Sequence, residues 1–421
     1  MVYMIAKDGQ PLMPTKDYRM VRLLLNNGKA KVVQRTPFTL RMLVNTHHYT
    51  QDVILGVDAG SKTVGLSAST ETEELFAAEV IPRNDIVEKM STRREFRRAR
   101  RNRKKRHRKP RFQNRIRNKH KGWLAPSIEV KIQEHITVIK RVCAILPITK
   151  VVVETAEFDL QLLKAILDGE EAPQGKDYQN GEMHGWYNAR QYVLWRDSYT
   201  CQCCGIHGDG VKLHVHHKES RKTGGNAPDN LVTVCKECHE KIHKGIITNS
   251  SFRKHGCRST RDATFMGIMR KTLLQRLRSE LSIPVWETKG YITKYTRTEM
   301  LKLPKTHTND ALAIARGPNN KTVIQRTERV YTIKPVRHHN RQLHKATILK
   351  GGIRKNNQAA IYVKGYRLFD KVRYNGTECF VWGRRTSGSF LLRLLDGTKV
   401  KDGVSYKRLK LLERASNYLI M

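Results

Sequence analysis

The chain is 421 residues long and carries 80 Lys and Arg against 38 Asp and Glu, for a formal net charge of +42 and a pI near 10.2. That length suits about three domains, and a cationic excess this large goes beyond what solubility requires and points to polyanionic partners. No run of about eighteen apolar residues occurs, and Met1 to Thr15 lacks a basic stretch followed by an apolar one, so neither a membrane span nor a secretory leader is expected. Cys143, Cys257 and Cys379 stand alone in the sequence, as ordinary buried thiols of a reducing compartment do.

In chain order, Pro11-Leu12-Met13-Pro14 lies near the start, and Val53 to Asp58 is a short apolar run that ends in an acid before Ala59-Gly60-Ser61. Val64 to Ser69 and Leu75 to Ile81 read as two further strands, a hairpin beside the first. Arg93 to Lys121 then holds 17 Lys or Arg in 29 residues, with Glu95 its only acid. Thr92 to Lys109 contains neither Pro nor Gly, so a helix is feasible there until Pro110 stops it. Like charges on every face would destabilise such a helix alone, and passing phosphates would stabilise it. Its candidate nucleic-acid contacts are Arg93, Arg94, Arg97, Arg98, Arg100, Arg101, Arg103, Lys104, Lys105, Arg106, Arg108, Lys109, Arg111, Arg115 and Arg117. A solvated basic tail or a localisation signal is the alternative, and the internal position argues against a tail.

Ser127 opens a helix with apolar Ile128, Ile132, Ile136, Ile139, Val142 and Leu146 at spacings of mostly three or four, ended by Pro147. Lys150 to Glu154 reads as a buried strand delivering a second acid. Downstream, Lys305 to Ala313 reads as a helix with His307 and Asp310 on one face. Residues 330–421 alternate apolar and polar, with turns at Tyr374-Asn375-Gly376 and Asp396-Gly397, and predict a small β-rich unit. Arg337 to Arg341 and Lys350 to Lys355 are basic enough for phosphate contacts, or are solvated loops.

Cys201 to His243 carries the densest chemistry. Cys201-x-x-Cys204 and Cys235-x-x-Cys238 can supply the four thiolates of a tetrahedral zinc, with Gly205 suited to the tight turn and Cys203 a bystander. The thirty residues between the pairs exceed the spacing of a zinc ribbon, so something is carried inside the loop. Two disulfides or a plain zinc finger with satisfied histidines are the competing readings. His216-His217, Lys222-Thr223-Gly224-Gly225, Asn230-Leu231 and Cys238-His239 together resemble an HNH nuclease of the ββα-metal fold. The resemblance implies His217 as general base, His216 and His239 as ligands of one catalytic Mg²⁺, and Asn230 as the residue that orients His217. His243 is an alternative to His239 for the metal role or a structural residue, and the spacing does not separate the two.

The strand acids Asp58 and Glu154 with the helix acid Asp310 resemble the RNase H-like fold of RuvC-type nucleases. That resemblance implies two Mg²⁺ held by Asp58, Glu154 and Asp310, with His307 helping to activate the nucleophile. The order Asp58, basic helix, Glu154, zinc–HNH unit, His307/Asp310 resembles RNA-guided effectors of the CRISPR type, and most closely the compact transposon-encoded IscB family. The expected fold is an α/β RNase H-like (RuvC) core split in three, with an inserted HNH domain, an arginine-rich bridge helix, a small N-terminal PLMP domain and a β-rich C-terminal domain. Its expected bounds are 1–50 for PLMP, 51–91, 122–167 and 262–320 for the RuvC parts, and 92–121 for the bridge helix. Linkers at 168–185 and 248–261 flank the HNH domain at 186–247, and 321–421 is the C-terminal region that would hold RNA and read a target-adjacent motif.

The implied activity is RNA-guided cleavage of double-stranded DNA. The guide RNA pairs with the target strand, HNH cuts that strand and RuvC cuts the other, within a monomeric ribonucleoprotein of the prokaryotic cytoplasm acting at the nucleoid. An RNA-independent HNH or homing-type endonuclease explains the zinc and His217 but not the order of Asp58, Glu154 and Asp310. A non-cleaving nucleic-acid-binding regulator would be expected to have lost catalytic residues, and every expected one is present.

Overall fold

The computed structural model describes residues 1–102, 123–155, 189–219, 230–248, 252, 261–320, 322–337 and 360–421. The bridge-helix residues from Arg103 onward, both expected linkers almost entirely, Lys222 to Gly225 and the basic stretch after Arg337 lie outside these. The chain divides into two compact units, Met1–Asp159 with Phe265–Met421, and Leu160–Thr264.

The first unit opens with β1 (Val2–Ile5), β2 (Pro11–Thr15), α1 (Tyr18–Asn26), β3 (Ala30–Gln34) and β4 (Thr39–Met42), whose sheet order is β2-β1-β4-β3. Pro11-Leu12-Met13-Pro14 forms edge strand β2, a position where proline's missing N–H costs no ladder bond. Leu12 is buried against Met4, Ala30 and Met42. Asp17 caps α1 by accepting from the backbone N–H groups of Arg19 and Met20.

Next come β5 (Val53–Asp58), β6 (Val64–Ser69), β7 (Glu74–Val80), α2 (Ile86–Asn102), α3 (Pro126–Cys143) and β8 (Ile148–Thr155). The second unit contributes α4 (Ala189–Arg196), β9 (Leu213–His217), β10 (Leu231–Cys235) and α5 (Lys236–His243). Helix α6 (Arg261–Glu280) begins in the second unit and, from Phe265, returns to the first, leading to β11 (Val285–Lys289), α7 (Gly290–Tyr295), α8 (His307–Arg316) and β12 (Val330–Pro335). The chain closes with β13 (Tyr362–Val363), β14 (Tyr366–Arg367), β15 (Lys371–Tyr374), β16 (Thr377–Arg384), β17 (Ser389–Arg393), β18 (Lys399–Ser405), β19 (Lys410–Glu413) and β20 (Tyr418–Ile420).

Seven of these strands make one mixed sheet in the order β11-β8-β5-β6-β7-β12-β20. β5, β6 and β7 form the expected antiparallel run, and β8 and β11 extend it in parallel beyond β5. The middle strands are buried, as expected where a sheet is covered on both faces. Val57 pairs with Val153, so the acids Asp58 and Glu154 emerge together at the ends of neighbouring strands.

Several boundaries differ from the sequence reading, among them the helix read from Lys305 to Ala313, which runs His307–Arg316 because Thr306 caps it. α3 ends at Cys143, with Ala144 as its C-cap, before the expected stop at Pro147. α2 begins at Ile86, six residues before Thr92. β12 and β20, read as parts of a separate β-rich region, are strands of the central sheet, and only β15 to β19 form the independent C-terminal sheet, ordered β18-β17-β16-β15-β19. Alternation reports a half-buried strand but not which sheet it joins. The expected turn at Asn375-Gly376 is present, with both residues at positive φ, as the tight turn between β15 and β16 requires.

Helix α8 lies across β5 and β6, where two glycines leave the sheet backbone bare. A Cβ on Gly56 would fall 2.0 Å from the carbonyl oxygen of Ala311, and one on Gly65 would fall 2.0 Å from that of His307. Thr306 caps the helix by accepting from Asn309 N–H. Buried Glu74 accepts from Arg326, which also donates to Asn309 Oδ1. Gly56→Ala is expected to lower the stability of this unit by about 3 kcal/mol, because backbone on both sides must separate. Urea unfolding would reveal this, and an unchanged midpoint would contradict the close approach.

Candidate functional site

Two clusters occupy the second unit. β9 and β10 are antiparallel, with His217 opposite Leu231 and Cys235 opposite Leu213, and α5 follows directly from β10. Cys201, Cys204, Cys235 and Cys238 bring one sulfur each to within 4.8 Å of one another, while Cys203 stays outside the group. Cys235 also caps α5, its sulfur accepting from Cys238 N–H at 3.5 Å. Burial would raise the Cys201 thiol, but backbone N–H groups around it bring it down to about 7, and burial with neighbouring sulfurs pushes Cys238 up. Four clustered sulfurs of this kind fit zinc, which would neutralise them in place. The sulfurs are unbridged.

The second cluster uses the alternation of β9. His214 and His216 share one face of the strand, and that face meets His239 and His243, one turn apart on α5. His216, His239 and His243 each offer a ligand atom within 4.8 Å of the others, and the Nε2 atoms of His239 and His243 are 3.3 Å apart. The structure therefore groups His243 with the two expected ligands. Burial first, then the charges that His243, His216 and His214 would carry, hold His239 below the usual imidazole range. A neutral imidazole keeps the lone pair that a metal needs. His214 escaped the sequence reading. Its ring stacks on His239 at 5.3 Å and 9°, and the only trace it left was its place two residues before His216.

His217, the last residue of β9, falls on the opposite side of the strand from His216. Asn230 was expected to orient it. The Asn230 side chain accepts from Glu219 N–H at 2.8 Å and donates to Glu219 O at 3.2 Å, while its carbonyl accepts from Lys218 N–H. These bonds fix the turn immediately after His217. Asp197, fully buried, is paired with Arg196 and accepts from Thr233 N–H, tying α4 to β10.

In the first unit Asp58, Glu154, His307 and Asp310 converge at the ends of β5 and β8 and the start of α8. His307 Nδ1 lies 2.6 Å from Asp58 Oδ2, and this contact raises His307 above the usual imidazole range. Burial, with the Asp58 and Asp310 charges adding to it, raises Glu154 against a hydrogen bond from Thr293. Burial and the Asp58 charge raise Asp310 as well. Among the described residues only the cysteine and histidine groups bring three or more ligand atoms within 4.8 Å, so the carboxylates stand further apart. Arg297, buried in a π-helical turn at Thr296–Met300, places Nε 2.6 Å from Asp310 Oδ1. The sequence reading missed it, since one arginine among 80 basic residues carries no local signal. Oxygen donors of this kind suit Mg²⁺.

Of the expected bridge-helix residues, Arg93 and Arg94 are exposed on α2, and Arg97, Arg98, Arg100 and Arg101 belong to the same helix. Arg103, Lys104, Lys105, Arg106, Arg108, Lys109, Arg111, Arg115 and Arg117 lie outside the described residues. Among the described residues, no helix is long and apolar enough to cross a membrane.

Residues 2–181 match the RRXRR protein family, which is associated with IscB, and residues 201–245 match the HNH endonuclease family. A probable HNH endonuclease of Lactococcus phage SK1 is 40% identical over 70 residues, 14% of this chain and 73% of that protein. The Zorya protein ZorE of Escherichia coli is 32% identical over 76 residues, 17% of this chain and 20% of ZorE. Streptococcus thermophilus Cas9, solved in complex with AGGA PAM and with GGAA PAM, aligns at TM-scores of 0.29 and 0.31 with 14% and 13% identity. These alignments cover 46% and 52% of this chain and 26% and 29% of Cas9, and scores this low do not establish a shared overall fold. The chain thus spans about a fifth of ZorE and over a quarter of Cas9.

The second unit, with its ββα core and histidine cluster, is that of a nuclease. The chain belongs to the HNH endonucleases, as an IscB-like member.

The purified protein is expected to carry one zinc per chain by atomic absorption. Cys235→Ser, which keeps a capping oxygen but loses a thiolate, should carry none and expose residues 189–248 to protease. Full zinc content in that variant would rule out the four-cysteine site.

Proposed function

We propose that this nuclease is an RNA-guided DNA endonuclease that cuts the two strands of a target at separate sites. The observation that carries this reading is the interleaving of two hydrolytic clusters. The histidine cluster belongs to a unit inserted between the strand that bears Glu154 and the helix that bears His307 and Asp310. An acid set assembled from three separated segments, with an arginine-rich helix between the first and second and an HNH unit between the second and third, matches the order of an RNase H-like core split in three. A stand-alone HNH endonuclease has no use for Asp58, Glu154 and Asp310 at adjoining strand ends.

In the HNH unit, His216, His239 and His243 would hold one divalent cation. His217 takes the proton of the attacking water as its oxygen bonds to phosphorus and the P–O3′ bond breaks. Asn230 keeps the segment after His217 in place. Bound cations at either site supply Lewis-acid polarisation of the scissile phosphate and offset the charge that develops on it. In the other unit Asp58, Glu154 and Asp310 would supply hard oxygen ligands for two Mg²⁺. His307, hydrogen-bonded to Asp58, would accept a proton from the nucleophile, and Arg297 would hold Asp310 in orientation. The arginine-rich α2 would take phosphates of a structured guide RNA, whose pairing with one DNA strand selects the target. The HNH unit cuts the paired strand and the acid site the displaced one.

His217→Ala is expected to slow cutting of the paired strand by about 10²–10⁴-fold and to leave the displaced strand cut. Asp58→Ala should give the complementary nick, and the double variant should bind without cutting. Strand-specific end-labelling of a plasmid target, with the RNA that copurifies with the protein, reads this directly. If His217→Ala cuts both strands at the normal rate, the assignment fails, and if RNA-free protein cuts equally well, the chain is an RNA-independent endonuclease.

A further inference from the structure

The segment joining β11 to α8 has two chemically different faces. Edge strand β11 places Thr288 opposite Glu154, and α7 starts at once with Gly290, where a Cβ would sit 3.3 Å from Glu154 Oε1. Thr293, Thr296 and Arg297 are buried, Thr293 bonding to Glu154 and Arg297 pairing with Asp310. The inward face thus touches two of the three carboxylates. The outward face carries Tyr291 and Tyr295, 60% and 52% exposed, with exposed Lys294 between them. A separation of four residues puts both rings on one side of the helix. Lys305, also exposed, lies near enough for its charge to act on both Glu154 and Asp310. Trp286, exposed on β11, differs, because Lys150 already covers its ring at 4.3 Å.

From this arrangement we infer that Tyr291 and Tyr295 form a stacking platform for the bases of an unpaired DNA strand, which feeds that strand's phosphate to Asp58, Glu154 and Asp310. Aromatic rings accept any base whose face is free, and positive charge beside them holds the backbone. A duplex is the poorer occupant, since its base faces are already covered by their neighbours. Arg297 and Thr293 anchor the same segment to the carboxylates, so a base held on the outward face is held in register with the site. Lys294 and Lys305 lie along the path of the phosphates, and a chain of net charge +42 suits a polyanionic occupant. The inference rests on the reading that the acid site cuts a single DNA strand.

Photocrosslinking tests it with the full-length protein and a single-stranded oligodeoxythymidine containing iododeoxyuridine, without added divalent metal, so that binding is read apart from cleavage. Peptide mass spectrometry is expected to find adducts on Tyr291 or Tyr295, suppressed by unlabelled single strand and not by blunt duplex. Adducts confined to other segments, or equal competition by duplex, would overturn the platform. In Mg²⁺, the Tyr291→Ala/Tyr295→Ala protein should cut single strands about tenfold less efficiently, chiefly through KM, and Tyr291→Phe/Tyr295→Phe should stay within about twofold. Normal cutting by the alanine protein together with no tyrosine adducts removes the platform and leaves the cleavage reading intact. Tyrosine adducts in a protein that cuts no single strand support the platform and remove the cleavage reading.

Discussion

The first unit depends on how closely helix α8 lies on the sheet. Gly56 and Gly65 are the positions where strands β5 and β6 lack side chains, and the backbone of α8 occupies that space at Ala311 and His307. No other residue type allows two backbones so close. The consequence is chemical as well as structural, because His307 arrives 2.6 Å from Asp58 although 249 residues separate them. Glu74, Arg326 and Asn309 reinforce the same end of the helix from the far side of the sheet order.

In the second unit the comparable constraint is local. Two Cys-x-x-Cys turns, the strands between them and a helix capped by one of the cysteines hold β9 against α5. With the scaffold set this way, the alternation of β9 and the four-residue turn of α5 put His214, His216, His239 and His243 in contact. His217, one residue further along, falls on the other side. A single strand thereby separates ligands from the proposed base.

The acid site shows a different balance. Its carboxylates are kept near one another by β5, β8 and α8, yet burial and mutual charge raise Glu154 and Asp310. Arg297 offsets part of this at Asp310, and His307 is hydrogen-bonded to Asp58. Both basic groups come from the segment that follows the inserted unit, as do the exposed tyrosines. That segment, β11 through α8, therefore supplies the cationic and aromatic partners, while the earlier part of the sheet supplies two of the three acids.

Much of this was legible in residue order alone. Cys201, Cys204, Cys235 and Cys238 declare a four-thiolate site because metal coordination demands short, paired spacings. Val53 to Asp58 and Lys150 to Glu154 declare strands ending in acids because burial demands apolar runs, and His307 with Asp310 follows from helical periodicity. The grouping of His243 with His216 and His239, the stacking of His214, the ion pair of Arg297 and the pairing of β12 and β20 with the central sheet were decided only in three dimensions. Each depends on contacts between distant segments, which leave no spacing to read: one arginine among many and one exposed tyrosine look like any other until an acid stands beside them. Local chemistry is written in short-range pattern, and its partners are chosen by packing.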